Sequence, residues 1–524
     1  MSKILVTAQK IYSLDKEDEF FTAMVIEDGR ILEMGLKETY NLTSSSYDEI
    51  YDYSNQIIIP GFNDSHIHML SYGEFLTKIN LVGTTKQEFL DRIKKKVDSE
   101  HNSDWIIGRG WDHENFESSS YPTKHDLDSI SKDHPIILHR ICGHICVVNS
   151  KALEISHITS NTIAPDGGII DIDPITGDTT GILRETAIDL VKDCIPETEQ
   201  SIKLSYLRQA ISDFNKKGIT SVQTNDKNAY FLYKTIKDSN ELTVRIYLTP
   251  MIDELPTLQK IGAKTNQGDN FLRWGRMKFF SDGSLGGETA ALINNYINSS
   301  SNGILKYTEK KLVELMTQAH KNEWQLEIHA IGDRSAQLIV KLFESTSAFK
   351  NRAVLTHCQI LNKDLIDKMA QLGIIANIQP IFLNTDLHWV EKKIGSNRMK
   401  YSYAWNTLRK ANIVCAGGSD APVESPDPIL GIHAAVNRQD ITGYPKEGWY
   451  MDEALTVWDA VRLFTVNSAY AEFQESQKGK LLANYLADFI VLDKDIFTVP
   501  KESIREIKIV STFVHGKRVY NANN

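Results

Sequence analysis

The chain has 524 residues, more than one ordinary domain needs and enough to bury a large hydrophobic core. Its 58 lysines and arginines against 68 aspartates and glutamates give a net charge of −10, which argues against nucleic acid or an anionic membrane as a partner. Five cysteines without CxxC spacing argue against a disulfide framework, and no segment reaches membrane-spanning length, so we expect a soluble cytoplasmic protein.

Strand-like stretches of alternating apolar and polar side chains occupy both ends of the chain, at residues 4–35, 487–493 and 507–520. Asp28-Gly29 in the first of them is a hairpin signal. Because an isolated hairpin is only marginally stable in water, we predict one composite β-sandwich domain from residues 1–56 and 477–524. Two independent terminal hairpins are the alternative.

The middle of the chain alternates apolar strand-like runs with longer helical patterns, which is typical of β–α units around a parallel sheet. Eight runs can be counted, at residues 57–68, 219–222, 244–248, 277–280, 326–329, 354–357, 374–378 and 413–420. Eight strands close a (β/α)8 barrel, so residues 57–476 are predicted to form an α/β barrel of the TIM type. The gap after the first strand is too long for one helix. We therefore expect an inserted subdomain at about residues 72–217, overhanging the face that carries the site.

The first of these runs ends in two histidines separated by one residue. A β-branched stretch stops at Pro60-Gly61, and His66 and His68 follow. Side chains alternate along an extended backbone, so the two imidazoles point to the same side and can share a metal ion. A solvated His-x-His pair in a surface turn is the alternative, and the apolar run before the pair favours the metal site.

Three further candidate ligands, His329, His357 and Asp420, end the fifth, sixth and eighth predicted strands. In barrel enzymes the residues at such strand ends meet at one face, where the chemistry is placed. Four imidazoles and one carboxylate suit a divalent transition metal better than calcium or magnesium, which prefer oxygen ligands. The sequence therefore predicts a metal centre at the strand ends.

Lys278 is expected to point inward from the fourth strand, where a bare ammonium is costly to bury. Two interpretations remain open. The lysine pairs with a carboxylate such as Asp282, or it is carbamylated by carbon dioxide and bridges two metals as an anion.

Several motifs accompany these residues: Pro60-Gly61-Phe62-x-Asp64-x-His66-x-His68, Lys278-Phe279-x-x-Asp282-Gly283, His329-Ala330-Ile331-Gly332-Asp333, Thr356-His357, Gly418-Ser419-Asp420-Ala421-Pro422, Gly143-His144-x-x-x-x-Asn149-Ser150 and Gly181-Ile182-Leu183-Arg184-Glu185. Together they resemble the amidohydrolase superfamily, and more narrowly its family 3, the YtcJ-like metal-dependent hydrolases that include N-substituted formamide deformylase. The resemblance covers nearly the whole chain. It implies a (β/α)8 barrel with a composite β-sandwich, a mono- or dinuclear metal centre and hydrolysis of C–N bonds.

The resemblance also implies a role for each candidate ligand. One metal would lie between His66, His68 and Asp420, and a second between His329 and His357, with carboxylated Lys278 as the bridge. Zinc is the expected metal, with one or two ions per chain. Metal-bound hydroxide would attack the amide carbon, and Asp420 would take the proton and deliver it to the leaving nitrogen.

Three residues are candidates for contact with the substrate. His144, in the insert, would act as a second catalytic group by polarising the carbonyl oxygen, and a structural hydrogen bond beside Asn149 is the alternative. Trp111 and Asp282 are the other two candidates, although aromatic residues in a chain of this size more often belong to the core.

The expected activity is hydrolysis of an amide, N-formyl or N-acyl bond in a small molecule, outside the peptide bond. A deaminase or cyclic-amide hydrolase using the same centre is one alternative, and a non-catalytic scaffold that has lost its metal is another. The full ligand set argues against the scaffold. We expect a small-molecule substrate and neither nucleic acid nor membrane as partner, and leave a homodimer open.

Overall fold

The computed structural model describes residues 3–40, 46–99, 105–140, 145–165 and 167–523. The chain divides into two compact units. Unit 1 comprises Met1–Tyr72 and Leu207–Asn524, and unit 2 comprises Gly73–Tyr206. In the part of the chain that is described, no helix is both long enough and apolar enough to span a membrane.

A seven-stranded sheet in unit 1, called the terminal sheet below, combines strands from both ends of the chain. In spatial order its strands are Lys517–Asn521, Ile509–Val514, Phe489–Leu492, Glu49–Pro60, Lys3–Tyr12, Phe20–Glu27 and Arg30–Gly35. Alternate apolar side chains, among them Val6, Ile58 and Phe489, form a buried cluster on this sheet. The strands from both ends are thus hydrogen-bonded into one sheet, and the domain boundaries at residues 56 and 477 stay a prediction.

Nine parallel strands of unit 1 form two further sheets. The first parallel sheet consists of Phe62–Ile67, Ile219–Thr224, Arg245–Leu248 and Leu272–Trp274, and the second consists of Met277–Phe280, Leu326–Ala330, Val354–His357, Ile375–Ile378 and Cys415–Gly417. Each of the eight predicted runs overlaps one of these strands. The ninth, Leu272–Trp274, was not predicted because three residues are too few to show a period.

Helices follow these strands, as the alternating pattern predicts. Those of six or more residues in unit 1 or at its boundary are Met69–Thr77, Gln200–Lys216, Tyr230–Asp238, Leu255–Lys260, Glu309–Lys321, Asp333–Ser345, Lys363–Leu372, Trp405–Lys410, Pro428–Asn437, Val457–Leu463 and Val466–Ala471. Lys363–Leu372 shows the local reasons for such a helix. The Asn362 side chain accepts from the Leu365 N–H at its start, and Gly373 ends it with a φ of 64°.

Within the described ranges, no continuous hydrogen-bonded ladder joins the two parallel sheets. Isolated contacts link their margins. Met251 forms a single parallel bridge with Lys278, and the Asp420 N–H donates to the His66 carbonyl oxygen at 2.8 Å. The fold is therefore mixed α/β with parallel strands, and closure into an eight-stranded barrel stays a prediction.

Unit 2 contains a six-stranded mixed sheet. In spatial order its strands are Ile169–Ile172, Thr179–Arg184, Ile145–Val148, Ile136–Arg140, Ile106–Trp111 and Ile79–Asn80. Its principal helix, Lys86–Ser99, buries Phe89 and Ile93 in a cluster that also contains Leu138. Unit 2 thus has a hydrophobic core of its own.

Candidate metal centre

The two histidines of the His-x-His pair converge on Asp420. Nε2 of His66 lies 3.3 Å from Oδ1 of Asp420, and Nε2 of His68 lies 3.1 Å from the same oxygen. His66 is buried, whereas the His68 side chain keeps 24% of its surface exposed. One carboxylate oxygen therefore faces two imidazole nitrogens, one of them on a side chain that is partly exposed.

Gly418 allows the backbone before Asp420 to approach His66 closely. A Cβ at Gly418 would lie only 2.7 Å from the His66 backbone nitrogen. Asp420 itself has a φ of 59° and His357 a φ of 80°, in the left-handed region that side chains with a Cβ rarely adopt. Such conformations cost about 1–3 kcal/mol each and cluster at functional sites. Both strained residues are candidate metal ligands.

A group of three residues in the described part of the chain could hold one metal ion. Ligand atoms of His66, His357 and Asp420 all lie within 4.8 Å of one another, and all three residues are buried. The His357 ring is 5.4 Å from the His66 ring and 4.5 Å from the His329 ring, measured between centroids. The His68 ring is also 5.4 Å from the His66 ring, so the four histidines and Asp420 form one connected group.

Three of the histidines have one ring nitrogen against an oxygen acceptor. Nδ1 of His66 lies 2.9 Å from Oε1 of Glu327 but makes no hydrogen bond there. Nδ1 of His68 and Nδ1 of His357 are hydrogen-bonded, the first to the Asn225 carbonyl oxygen at 2.8 Å and the second to Oε1 of Gln379 at 2.8 Å. Metal-binding histidines almost always donate their second ring N–H in this way, which fixes the tautomer and the ring orientation. For His68 and His357 the pattern leaves Nε2 as the atom that can bind a metal.

His329 has the opposite arrangement. Its Nε2 lies 3.0 Å from the Gly283 carbonyl oxygen, and its buried Nδ1 has no hydrogen-bond partner. A buried polar atom without a partner is costly, and a metal ion would relieve that cost. The four imidazoles and the Asp420 carboxylate therefore fit a divalent transition metal.

Burial and neighbouring charges shift the pKa values in this centre. Burial would raise the pKa of Asp420, but the charge of His66 and hydrogen bonds from His66 and His68 hold it well below its usual range. Burial lowers the pKa of His357 well below its ordinary value, and His329 adds to the effect. Burial would lower the pKa of His68, but its hydrogen bond to Asp420 and the negative charges of Asp420 and Asp226 together raise it. Asp420 is thus a carboxylate beside a neutral His357, the forms in which both bind metals.

Lys278 is buried on the strand Met277–Phe280 and points to Glu327. Its Nζ lies 2.8 Å from Oε1 of Glu327. The expected pairing with Asp282 is therefore wrong. Both oxygens of Asp282, which has no exposed surface, instead accept three backbone N–H groups at 2.9–3.2 Å. Asp282 thus links the loops that follow the strands Met277–Phe280 and Leu326–Ala330. These hydrogen bonds give no support to its predicted contact with substrate.

Glu327 was not among the residues predicted from the sequence. Its Oε2 accepts from Nε of Arg276 at 2.6 Å, and its Oε1 accepts from Oγ1 of Thr356 at 2.9 Å in addition to Lys278. Leu326–Ala330 carries both Glu327 and His329, two positions apart. Side chains alternate along a strand, so Glu327 lies on the same face as His329. The sequence could therefore have identified Glu327 as a residue of this site.

Trp111, another candidate for substrate contact, lies in unit 2. The Trp111 side chain is fully buried in the core of that unit, where its indole N–H donates to the Leu138 carbonyl oxygen at 2.8 Å. This placement gives no support to a substrate contact. His144 lies outside the described residues. Asn149 caps the helix Ser150–Ile155 by accepting from the Ala152 N–H.

Comparison with known proteins shows similarity along nearly the full chain. A model of the Amidohydrolase family matches residues 49–520. The putative amidohydrolase YtcJ of Bacillus subtilis (strain 168) is 34% identical over 97% of this chain and 98% of the relative. N-substituted formamide deformylase of Arthrobacter pascens is 24% identical over 98% of both chains. The crystal structure of an uncharacterized metal-dependent hydrolase from Pyrococcus horikoshii OT3 matches with a TM-score of 0.80 and 27% identity, covering 95% of this chain and 99% of that one.

Proposed function

The chain belongs to the Amidohydrolase family, and from that membership we propose that it hydrolyses a C–N bond other than a peptide bond in a small molecule. The observation that carries the proposal is the buried group of His66, His357 and Asp420, with ligand atoms within 4.8 Å of one another. Amide, N-formyl and N-acyl bonds are the proposed targets. The name of the Arthrobacter relative makes N-formyl amines the first substrates to test.

A divalent metal, with zinc as the first candidate, would be held by His66, His68, His329, His357 and Asp420. Imidazole and carboxylate are ordinary zinc ligands. When bound, such an ion lowers the pKa of a coordinated water to about 7 and so supplies a nucleophile at neutral pH. One ion per chain would be consistent with an unmodified Lys278, and two ions per chain with a carboxylated Lys278 that bridges them.

Asp420 is proposed to hold and move the proton. Its carboxylate stays ionised because His66 and His68 hold its pKa low, so it can accept a proton from the attacking water. Delivery of that proton to the departing nitrogen completes the reaction. His68, which retains exposed surface beside the same oxygen, would orient the carboxylate. His144 is retained as the proposed donor to the carbonyl oxygen.

The proposal is tested by elemental analysis of the purified protein together with a substrate panel. N-formyl and N-acyl amines should release acid and amine, and removal of the metal by a chelator should abolish the release until zinc is restored. His357→Gln should lose metal and activity, whereas His433→Gln, which changes a buried histidine bonded to Asn437, should keep both. Full hydrolysis by metal-free protein would contradict the proposal, and ammonia as the main product would assign a deaminase instead.

A further inference from the structure

Glu327 contacts four buried side chains, three of them on different strands and the fourth, Arg276, directly before one of these strands. Oε2 accepts from Arg276, and Oε1 lies 2.8 Å from Nζ of Lys278, 2.9 Å from Oγ1 of Thr356 and 2.9 Å from Nδ1 of His66. The Glu327, Arg276 and Lys278 side chains have no exposed surface. The carboxylate is therefore fixed from several directions at once.

Charge neutralisation alone does not account for this arrangement. Glu472 is also a buried carboxylate, and it lies between Arg273 at 2.8 Å and Lys478 at 2.7 Å. Its remaining contact is the Asn63 amide at 2.7 Å, and no imidazole lies against it among the described residues. An arginine and a lysine thus suffice to pair a buried glutamate in this protein. The contact with His66 is what distinguishes Glu327.

We infer that Glu327 is a positioning residue of the metal site, whose carboxylate keeps the His66 proton on Nδ1 and so directs Nε2 toward the metal. The inference rests on the proposed function, since it assumes that His66 binds a metal. Nε2 of His66 already lies 3.3 Å from Asp420, the neighbouring ligand, so the ring is oriented as this role requires. The 2.9 Å contact lacks hydrogen-bond geometry, so the Glu327 carboxylate acts through its negative charge, which favours a proton on the nearby Nδ1. Loss of such a partner of a ligand histidine typically weakens metal affinity 10–100-fold.

Two variants of Glu327 separate this role from simple charge pairing. Glu327→Asp keeps the charge between Arg276 and Lys278 but shortens the side chain away from His66, and Glu327→Gln removes the charge. Glu472→Asp and Glu472→Gln are matched controls, because they disturb a similar Arg–Glu–Lys group that touches no predicted ligand. Each protein is measured for thermal unfolding, for Zn²⁺ affinity by chelator competition, and for the visible absorption bands of bound Co²⁺, which report ligand geometry.

Both Glu327 variants are expected to bind Zn²⁺ about 10–100-fold more weakly and to show altered Co²⁺ bands, whereas the Glu472 variants keep wild-type affinity and bands even where they melt earlier. Folded Glu327→Asp with wild-type affinity and bands would overturn the inference. Should both Glu327 variants fail to fold, ¹⁵N-histidine NMR of metal-free wild-type protein decides, with the His66 signal assigned through His66→Gln. If this spectrum shows the His66 proton on Nε2 and not on Nδ1, the inference is overturned. None of these measurements uses a substrate, so absence of C–N hydrolysis would refute the proposed function alone.

Discussion

Replacing Gly418 with alanine is expected to impair metal binding while most of the fold remains. The new Cβ would lie 2.7 Å from the His66 backbone nitrogen and 2.9 Å from the His66 Cβ. Ordinary van der Waals contact begins at 3.4 Å, so the two segments must separate by about 0.7 Å. The nearest atom belongs to the backbone of Phe62–Ile67, and rotation of a side chain cannot relieve the contact.

The consequence for the metal centre follows from the size of this shift. Overpacking of a tight site costs about 1–3 kcal/mol of stability. A displacement near 1 Å of a group that must be held in place costs about 10²-fold in rate. Because Asp420 follows Gly418 on one segment and His66 lies on the segment that the new Cβ would contact, the two ligands are expected to move apart. We expect metal affinity to fall about 10-fold or more and turnover about 10²-fold, with a small decrease in melting temperature.

Chelator competition, thermal unfolding and turnover of the same preparation measure these effects. Gly286→Ala is the matched control, because a Cβ there would meet nothing closer than the Trp389 ring at 3.8 Å, and its φ is not in the left-handed region. The control should retain wild-type metal affinity. Gly418→Ala with wild-type affinity and turnover would refute the claim that close approach at this position sets the ligand geometry.

Three further predictions concern individual ionisable groups. Asp420→Asn should lower kcat by about 10²–10⁴-fold while the protein folds and the histidines still bind metal, measured by kinetics and elemental analysis; a near-normal kcat would assign the proton to another group. Lys278→Ala should reduce two metals per chain to one if the lysine is a carboxylated bridge, with partial rescue by short carboxylic acids, whereas two metals and full activity in the variant would exclude the bridge. Burial raises the pKa of Asp386 to about 7. The folded protein therefore binds the Asp386 carboxyl proton more tightly than the unfolded chain does. Protonation of Asp386 thus stabilises the fold at low pH, and this contribution is lost as the pH rises from about 4 to about 7. Asp386→Asn should therefore remove on the order of 4 kcal/mol of that pH dependence in urea unfolding at pH 4 and pH 8, and an unchanged difference would contradict it.

Eight of the nine parallel strands described could be located from the sequence because they fall in buried, mostly apolar runs, whereas the three-residue strand Leu272–Trp274 could not. The period-two rule correctly put His66 and His68 on one side, since both reach Asp420. The carboxylate that pairs with Lys278 could not be predicted from this alternation. Asp282 is four residues from Lys278 in sequence, but Glu327 is the one within reach across neighbouring strands, at 2.8 Å. Which side chains meet across two strands depends on the register of the strands, and the sequence of one strand alone does not determine that register.

The buried side chains beneath the predicted ligands explain why the site depends on more than the ligands. Glu327 lies on the strand that also carries His329, contacts His66 from the first parallel sheet, and contacts Lys278 and Thr356 from the two adjoining strands. A change in any of these contacts shifts a charge in a region without solvent, where electrostatic interactions are strong. The orientation of His66 is therefore coupled to residues that bind no metal themselves. Substitutions at Lys278 and Glu327 should for this reason combine non-additively in metal affinity, as expected of two residues in direct contact.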